Sequence, residues 1–209
     1  MDRIVIWGAG GHAKVVAATL RRLGGWHIAG FIDDSDLDRA GEPFAGAHVL
    51  GGRDALPAPG TVAVHLAFGH CEARGRLGQE LAALGHVLPA IVDASAVVAE
   101  GAVLEPGCFV GPMAVVNADA RVGACTIVNT GVIVEHDCTV GTAVHLAPRA
   151  CLAGHVQVGD FTFIGAGTAV RDKVRIGRGC LIGLGSVVVR DLPDGARAFG
   201  NPASIKTSS

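Results

Sequence analysis

The 209-residue sequence contains no tyrosine, and aromatic residues make up only 4% of it. Without tyrosine the chain cannot form the Tyr-x-x-x-Lys pair used by one class of NAD-dependent oxidoreductases. No apolar run approaches the 18 residues that a membrane-spanning helix needs, and the N-terminus lacks the basic segment and cleavage site of a secretion signal. The net charge of −2 gives no reason to expect nucleic acid or an anionic membrane as a partner.

Glycine, by contrast, is abundant, and it accompanies a six-residue repeat between Val122 and Leu192. Every sixth residue from Val122 to Val188 is Val, Ile or Leu, without exception. The residue after it is often glycine, and the fifth position of each unit is mostly small or β-branched. A fixed short period is typical of a solenoid. Six residues suit one flat side of a triangular coil, so residues eighteen apart should stack.

We therefore predict a left-handed parallel β-helix whose aliphatic residues point inward, with the following glycine supplying backbone freedom at each corner. Five further units precede Arg121, and the pattern shifts by one residue near it, giving seventeen units and a little under six coils; these units begin at Ile91, Val97, Val103, Phe109 and Val115. Such prisms have open sides that favour self-association, which predicts a homotrimer.

The six cysteines form no CxxC pair. We expect Cys125, Cys138 and Cys180 to be small inward-facing residues of the coil, the common role of a buried thiol. This cysteine pattern favours a reduced, cytoplasmic protein.

The first third has a different pattern, in which strands alternate with helices. Arg3–Trp7, His27–Ile32 and Val62–Phe68 are predicted strands, and helices follow the first and the third. Val87–Val92 is predicted to be a last short strand leading into the coil. We predict a Rossmann-like α/β domain over residues 1–88 and the β-helix with a short tail over residues 89–209.

The turn after the first strand fits the G-x-G-x-x-[GA] form, which sets backbone N–H groups and a helix N-terminus against phosphate. An acid about twenty residues further on is the usual partner of a ribose, and Asp33 lies there. We predict that a nucleotide-sugar binds at this turn and at the ends of the neighbouring strands; the expected residues are Gly8, Gly10, Gly11, His12, Asp33, Asp34, Gly69 and His70.

Five segments in this order, GAGGHAKVV, FIDD, AFGHCEAR, NTGVIVEHDCTVG and GNPA, resemble the PglD/NeuD family of sugar acyltransferases. The resemblance covers nearly the whole chain. It implies an acyl-CoA-dependent enzyme that acts on nucleotide-linked or sialic sugars. It favours N-acetylation of a nucleotide-linked 4-amino-4,6-dideoxy sugar, with O-acetylation of a sialic acid-type sugar as the alternative.

Acyl transfer needs a base, and imidazole is the side chain whose ordinary pKa suits that role near neutrality. His136 follows an inward aliphatic residue by two positions, so its ring should project from a corner toward a neighbouring subunit. The resemblance implies that His136 is the catalytic base at a trimer interface, that Asp137 orients its ring, and that Asn129 contributes to the same site. It also implies that His145 lies near the acetyl-CoA thioester or the acceptor.

Acetyl-CoA is the expected co-substrate, lying in a groove between two prisms along small residues that allow close backbone approach. The expected contacts are Ala147, Gly165, Ala166, Gly183 and Gly185. Three histidines on a β-helix, the third being His155, also invite comparison with zinc-binding γ-class carbonic anhydrases, but the spacing and accessory residues differ, so no metal is predicted. An NAD-dependent oxidoreductase and a non-catalytic solenoid are the remaining alternatives.

Overall fold

A parallel sheet forms the N-terminal third of the computed structural model, which describes residues 2–206. Its strand order is β3-β4-β2-β1-β5, and all neighbours are parallel except β3 and β4. The elements in chain order are β1 (Asp2–Trp7), α1 (Gly11–Leu23), β2 (Trp26–Ile32), β3 (Pro43–Phe44), β4 (Ala47–Gly51), β5 (Ala63–Leu66) and α2 (Cys71–Ala83). The predicted strands and helices are confirmed to within a few residues.

The hairpin of β3 and β4 was not predicted from the sequence. Its two turn residues, Ala45 and Gly46, both have positive φ angles of 40° and 79°, which suits a tight two-residue connection. Val49 of β4 is 1% exposed and extends the sheet beyond β2. The segment therefore adds two strands to a sheet that the sequence pattern limited to three.

The alternating side chains of β1 serve both faces of this sheet. Ile4 and Ile6 share a buried cluster with α1, whereas Val5 and Trp7 share another with Leu77 and Leu81 of α2. One helix therefore covers each face, as a Rossmann-like arrangement requires.

The rest of the chain is a triangular coil of short parallel strands that pair with the strands eighteen residues away. The docking side faces the α/β domain and consists of β6 (Ile91–Val92), β9 (Phe109–Val110), β12 (Ile127–Val128), β15 (His145–Leu146), β18 (Phe163–Ile164), β21 (Leu181–Ile182), β23 (Arg197–Phe199) and the antiparallel β24 (Ser204–Ile205). The apolar side consists of β7 (Val97–Val98), β10 (Val115–Val116), β13 (Ile133–Val134), β16 (Cys151–Leu152), β19 (Ala169–Val170) and β22 (Val187–Val188). The polar side consists of β8 (Val103–Leu104), β11 (Arg121–Val122), β14 (Thr139–Val140), β17 (Gln157–Val158) and β20 (Arg175–Ile176).

The inward aliphatic row is confirmed, because every sixth residue from Val122 to Val188 lies in one buried cluster. The predicted shift near Arg121 is wrong. The seventeen strands from β6 to β22 keep one six-residue spacing, and the second residue of each strand, such as Val98 or Val110, points inward. The aliphatic residues one position earlier face outward: Phe109 packs against the α/β domain, and Val97 is 57% exposed.

The role predicted for the glycines after the aliphatic row is also wrong. Positive φ angles occur two residues later, for example at Ala143 and Phe161, and not at these glycines. These positions are glycine because successive coils stack closely. A Cβ on Gly159 would lie 2.5 Å from the backbone nitrogen of Arg178, and a Cβ on Gly165 would lie 2.5 Å from the backbone nitrogen of Leu184. Glycine is thus required because the next coil passes directly against the chain.

The expected inward position holds for Cys138 and Cys180 but is wrong for Cys125. Cys125 stands at a positive-φ corner, one position before the inward small residue, and packs under α2 in the seam between the two units. A Cβ on Gly78 of α2 would lie only 2.4 Å from its sulfur.

Buried polar side chains of both helices of the α/β domain contact the coil. Arg74 of α2 is fully buried and donates to the carbonyls of Cys125 (2.8 Å), Phe68 (2.8 Å) and Ala143 (2.9 Å). Thr19 of α1 donates to the buried carboxylate of Asp93, at the first coil, over 2.7 Å. The relative placement of domain and coil is therefore set by specific donors and acceptors as well as by apolar packing.

The connection between the two units runs from the end of α2 at Ala83 to the start of β6 at Ile91. The strand predicted over Val87–Val92 is reduced to β6. The domain boundary at 88/89 falls within this connection and stays a prediction. None of the helices in residues 2–206 is long and apolar enough to cross a membrane.

Candidate active site

A cavity of about 590 Å³ opens where β1, β2 and β5 of the α/β domain end. Seven of the eight predicted nucleotide-sugar residues line it: Gly8, Gly10, Gly11, His12, Asp33, Asp34 and Gly69. Gly8 has a φ of 117°, and a Cβ there would lie 2.8 Å from the carbonyl oxygen of Ala67. Only glycine fits at that point, and α1 begins three residues later with its N-terminus at the cavity.

His70 is the predicted residue that does not line this cavity. Its ring nitrogen Nδ1 accepts a hydrogen bond from the backbone N–H of Ala73 over 3.2 Å and so caps the N-terminus of α2. The residue instead lies beside a second cavity of about 580 Å³ between α2 and the coil.

The two predicted acids are held by partners from the same domain. Asp33 accepts a hydrogen bond from Nη1 of Arg39 over 2.6 Å, and Asp34 accepts one from the backbone N–H of Arg53 over 2.7 Å. Arg39 also donates to the carbonyl of Ala9 over 3.1 Å and so joins the acid to the glycine turn. Sequence reasoning missed both arginines, since neither belongs to the glycine motif and only the fold brings them to the cavity.

Three histidines, the buried His65 and the half-buried His12 and His145, lie where this cavity approaches the docking side of the coil. The rings of His12 and His145 are 6.3 Å apart, and Phe109 lies 5.1 Å from His12 and 6.0 Å from His65. Burial lowers the pKa of His12 to about 3 and that of His145 to about 4, and the charge of Arg74 adds to both shifts. The imidazoles are therefore neutral at pH 7.

One atom of this cluster suits a ligand, and another ties the cluster to Asn129. Nε2 of His12 is buried without a hydrogen-bond partner among the described residues, and such groups are usually satisfied by something bound. His145 lies on β15 and meets the side-chain amide of Asn129 at 3.2 Å through its Nε2. The structure thus joins Asn129 to His145, whose ring is 6.3 Å from that of the cavity residue His12, whereas the sequence placed it with His136.

His136 and Asp137 lie at the corner between the apolar and polar sides, after β13. Nδ1 of His136 is 2.8 Å from Oδ2 of Asp137. Asp137 has a φ of 57°, a backbone conformation that aspartate tolerates better than most residues, and it projects its carboxylate from the corner. The hydrogen bond from His136 lowers the pKa of Asp137, so the carboxylate is ionised near neutrality.

The next coil completes this corner. His155 stands eighteen residues after Asp137 with a φ of 59°, and its Nε2 is 3.7 Å from Oδ2 of Asp137. Gly154 lies against the ring of His136, because a Cβ there would be 2.7 Å from its Cε1 and Nε2 atoms. Gly154 was missed from the sequence, although the eighteen-residue stacking of the coil would have pointed to it.

The small residues predicted to contact CoA follow the docking side. Ala147, Gly165 and Gly183 come directly after β15, β18 and β21, so they form one line along the corner, and Ala166 and Gly185 lie just beyond it. A Cβ on Gly183 would lie 2.3 Å from the ring of Phe199. Coil packing alone therefore demands glycine at 165 and 183, and their contact with CoA stays a prediction.

Known proteins resemble this chain over its full length. One is a histidine variant of perosamine N-acetyltransferase from Caulobacter crescentus, in complex with CoA and GDP-perosamine. It is 39% identical with a TM-score of 0.93, over 100% of this chain and 98% of the other. The acetyltransferase domain of PglB from Neisseria gonorrhoeae FA1090, in complex with acetyl coenzyme A, is 34% identical with a TM-score of 0.92 over 98% and 99%. The family model for the PglD N-terminal domain matches residues 3–81.

The chain belongs to the PglD/NeuD family of sugar acetyltransferases. This membership confirms the resemblance inferred from the five sequence segments. The family match covers the glycine turn and the cavity of the α/β domain, and the likeness to solved structures extends the assignment over the coil and its histidine corner.

Curated relatives of this PglD/NeuD protein match a shorter stretch. The acyl-[acyl-carrier-protein]–UDP-N-acetylglucosamine O-acyltransferase of Burkholderia orbicola (strain MC0-3) is 44% identical over 70 residues. That stretch is 34% of this chain and only 27% of the length of that relative.

Proposed function

We propose that this protein transfers the acetyl group of acetyl-CoA to the amino group of a nucleotide-linked 4-amino-4,6-dideoxy sugar. The observation that carries the proposal is the contact of His136 with Asp137 at an open corner of the coil. The similar structures support the two substrates, since one holds CoA and GDP-perosamine and another holds acetyl coenzyme A. O-acetylation of a sialic acid-type sugar is the alternative acceptor chemistry.

The Asp137 carboxylate determines which nitrogen of His136 can act as a base. An ionised carboxylate only accepts hydrogen bonds. Nδ1 of His136 therefore carries the ring proton and donates a hydrogen bond to Asp137. The lone pair then resides on Nε2, which is the nitrogen left free for the acceptor. Asp137 is thus a positioning residue, and His136 is the group that meets the substrate.

The reaction follows from this tautomer. The amino nitrogen of the sugar attacks the carbonyl carbon of the thioester, and Nε2 of His136 takes the proton that the nitrogen gives up. The bond from carbon to sulfur then breaks, the electrons leave with the CoA sulfur, and the proton passes to that thiolate. The products are the sugar amide and free CoA.

The nucleotide part of the acceptor sugar is proposed to lie in the cavity of the α/β domain. The glycine turn at Gly8, Gly10 and Gly11 and the N-terminus of α1 suit the diphosphate. Asp33 and Asp34 are already engaged by Arg39 and Arg53, so we expect their free lone pairs, together with the arginines, to meet the ribose or base. His12 presents its buried Nε2 to the sugar side.

The active site is proposed to form between subunits of a homotrimer. Each apolar side is bounded by two corners: the one shared with the docking side carries Asn129, and the one shared with the polar side carries His136. In a three-fold arrangement with the apolar sides turned toward the axis, each corner meets the opposite corner of a neighbour. His136 of one copy would then face Asn129, His145 and the nucleotide cavity of the next.

The outward residues support this arrangement. The first residue of each strand faces outward, and on the apolar side these residues are all small or aliphatic: Val97, Val115, Ile133, Cys151, Ala169 and Val187. On the polar side they are mostly polar or charged: Val103, Arg121, Thr139, Gln157 and Arg175. Light scattering after gel filtration tests it, with an expected mass of about 63 kDa, three times the chain mass of 21.1 kDa. A monomer of 21.1 kDa would contradict the shared site.

CoA is proposed to bind in the groove beside the line of Ala147, Gly165 and Gly183, with Ala166 and Gly185 at its edge and the thioester near His145. The six free cysteines are consistent with the cytoplasm as the place of action. We propose that residues 1–88 bind the nucleotide and that residues 89–209 carry out acyl transfer. The boundary between them lies in the connection between α2 and β6.

The decisive experiment measures thiol release from acetyl-CoA with a panel of UDP- and GDP-linked 4-amino-4,6-dideoxy sugars and sialic acid. We expect His136→Ala to lower kcat/KM by about 100-fold or more, the scale of a lost general base. His27→Ala is the control, because His27 is exposed on β2, away from the cavity residues. Turnover of His136→Ala close to that of the native protein would remove His136 from its role.

A further inference from the structure

The corner of His136 holds three groups that metal ions favour, contributed by two successive coils. One nitrogen each from His136 and His155 and one oxygen from Asp137 all lie within 4.8 Å of one another. The shortest separations are 2.8 Å from His136 to Asp137 and 3.7 Å from Asp137 to His155. Proton transfer by His136 uses Asp137 but gives no task to His155.

These separations suit a small divalent cation. Zinc bound to imidazole and carboxylate at about 2.0–2.2 Å in tetrahedral geometry separates its ligand atoms by about 3.3 Å. The observed values lie on both sides of that distance, and all three side chains are roughly half exposed, so small rotations bring them to it. Two nitrogens and one oxygen leave a fourth position for water, as in sites of the His₂-carboxylate type.

The coil itself presents these ligands together. Asp137 and His155 occupy the same corner position one coil apart, with φ angles of 57° and 59°. The backbone N–H of His155 donates to the carbonyl of His136 over 3.0 Å, which fixes the spacing between the coils. The two imidazole rings meet edge to face with centroids 5.2 Å apart, and a nitrogen of each lies within 3.7 Å of the same carboxylate oxygen of Asp137.

We propose that His136, Asp137 and His155 bind one divalent cation of the zinc class, and that the ion inhibits acetyl transfer. A metal takes the lone pair of each imidazole nitrogen it binds and holds the carboxylate that orients His136. His136 then has no free ring nitrogen to take the proton, or its ring is no longer oriented by Asp137, and acetyl transfer stops. The inhibition, but not the binding, rests on the function proposed above.

Binding is tested with the metal alone on the full-length protein after treatment with a chelator. Co²⁺ is titrated by visible absorption and Zn²⁺ by calorimetry, and we expect one ion per chain. His155→Asn removes one ligand while keeping a residue that tolerates positive φ, and we expect the affinity to fall by about 100-fold or more, at least the loss seen when outer-sphere partners of metal sites are removed. Unchanged affinity in His155→Asn overturns the site.

Lys173→Asn is the matched control. Lys173 occupies the same corner position in the following coil with a φ of 61°, so the backbone demand on the substitution is the same. It removes no ligand, and we expect the affinity to change by no more than about fivefold, the scale of one screened surface charge. An equal loss in both variants would mean that the corner backbone, and not His155, determines metal affinity, which also overturns the site.

Inhibition is tested separately by thiol release. We expect micromolar Zn²⁺ to inhibit the native protein and Lys173→Asn, and His155→Asn to keep its metal-free turnover while resisting Zn²⁺. Equal sensitivity of His155→Asn overturns the inhibitory mechanism. If no acceptor supports thiol release, the proposed function fails while the Co²⁺ titration still decides whether the site exists.

Discussion

The buried histidine His65 predicts a loss of stability in mild acid. His65 lies on β5 and is 0% exposed. Burial lowers its pKa from an ordinary value of about 6.5 to about 4; the backbone of Pro89 opposes this shift and the charge of Arg74 adds to it. Below pH 6.5 the unfolded chain therefore takes up a proton that the folded chain refuses, so stability falls as the pH drops and the loss is complete once the pH is below about 4.

The size of the effect follows from the two pKa values. At pH 5.0 a shift of this size costs about 2 kcal/mol of unfolding free energy, whereas at pH 7.5 it costs less than about 0.1 kcal/mol. His12 and His145, whose pKa values are lowered in the same direction, add losses of similar size. The seam between the α/β domain and the coil should therefore be the acid-sensitive part of the molecule.

Replacement of His65 by leucine isolates its share. We expect the difference in unfolding free energy between pH 7.5 and pH 5.0, measured by urea denaturation at a fixed protein concentration, to shrink by about 2 kcal/mol in His65→Leu. His27→Gln is the control, because His27 is exposed and its removal should leave the difference unchanged. The reasoning is refuted if His65→Leu loses as much stability in acid as the native protein does.

Two further substitutions test how the site is held. In Gly154→Ala the new methyl group would meet the His136 ring at 2.7 Å, so the ring must shift by about 1 Å. We expect kcat to fall by up to about 100-fold with the melting temperature unchanged. A native kcat would contradict this contact. In Arg74→Met two carbonyls of the coil and one of the α/β domain lose their buried donor, so we expect urea denaturation to give a loss of about 3 kcal/mol. A loss below about 1 kcal/mol would mean that apolar packing alone fixes the domain.

The six-residue period was enough to predict the coil, because a position that must be aliphatic in every unit leaves a signal in the sequence. It could not assign the first five units correctly, since both residues of strands such as β9 and β10 are apolar. Phe109 is apolar because it meets the α/β domain, and Val115 because it faces outward on the apolar side. Periodicity alone does not distinguish these reasons from burial inside the prism.

The site was only partly predictable for a different reason. His136 and Asp137 are neighbours in the chain, so the sequence pairs them directly. Arg39 reaches Asp33 only through a 3₁₀ turn over Leu37–Arg39, and Asn129 reaches His145 only because successive coils stack. Contacts of this second kind depend on where the chain returns in space, and residue type gives no sign of them.

The unbroken spacing of β6 to β22 limits how the length of this protein can change. Removing eighteen residues takes away one full turn and leaves every later strand on its original wall. Removing six rotates everything downstream by a third of a turn, so that the row containing His145 would move to a different wall from the one under the α/β domain. Whole-turn changes should therefore be tolerated. Smaller changes, although they keep the six-residue period intact, should disrupt both the seam and the stacking of Asp137 under His155.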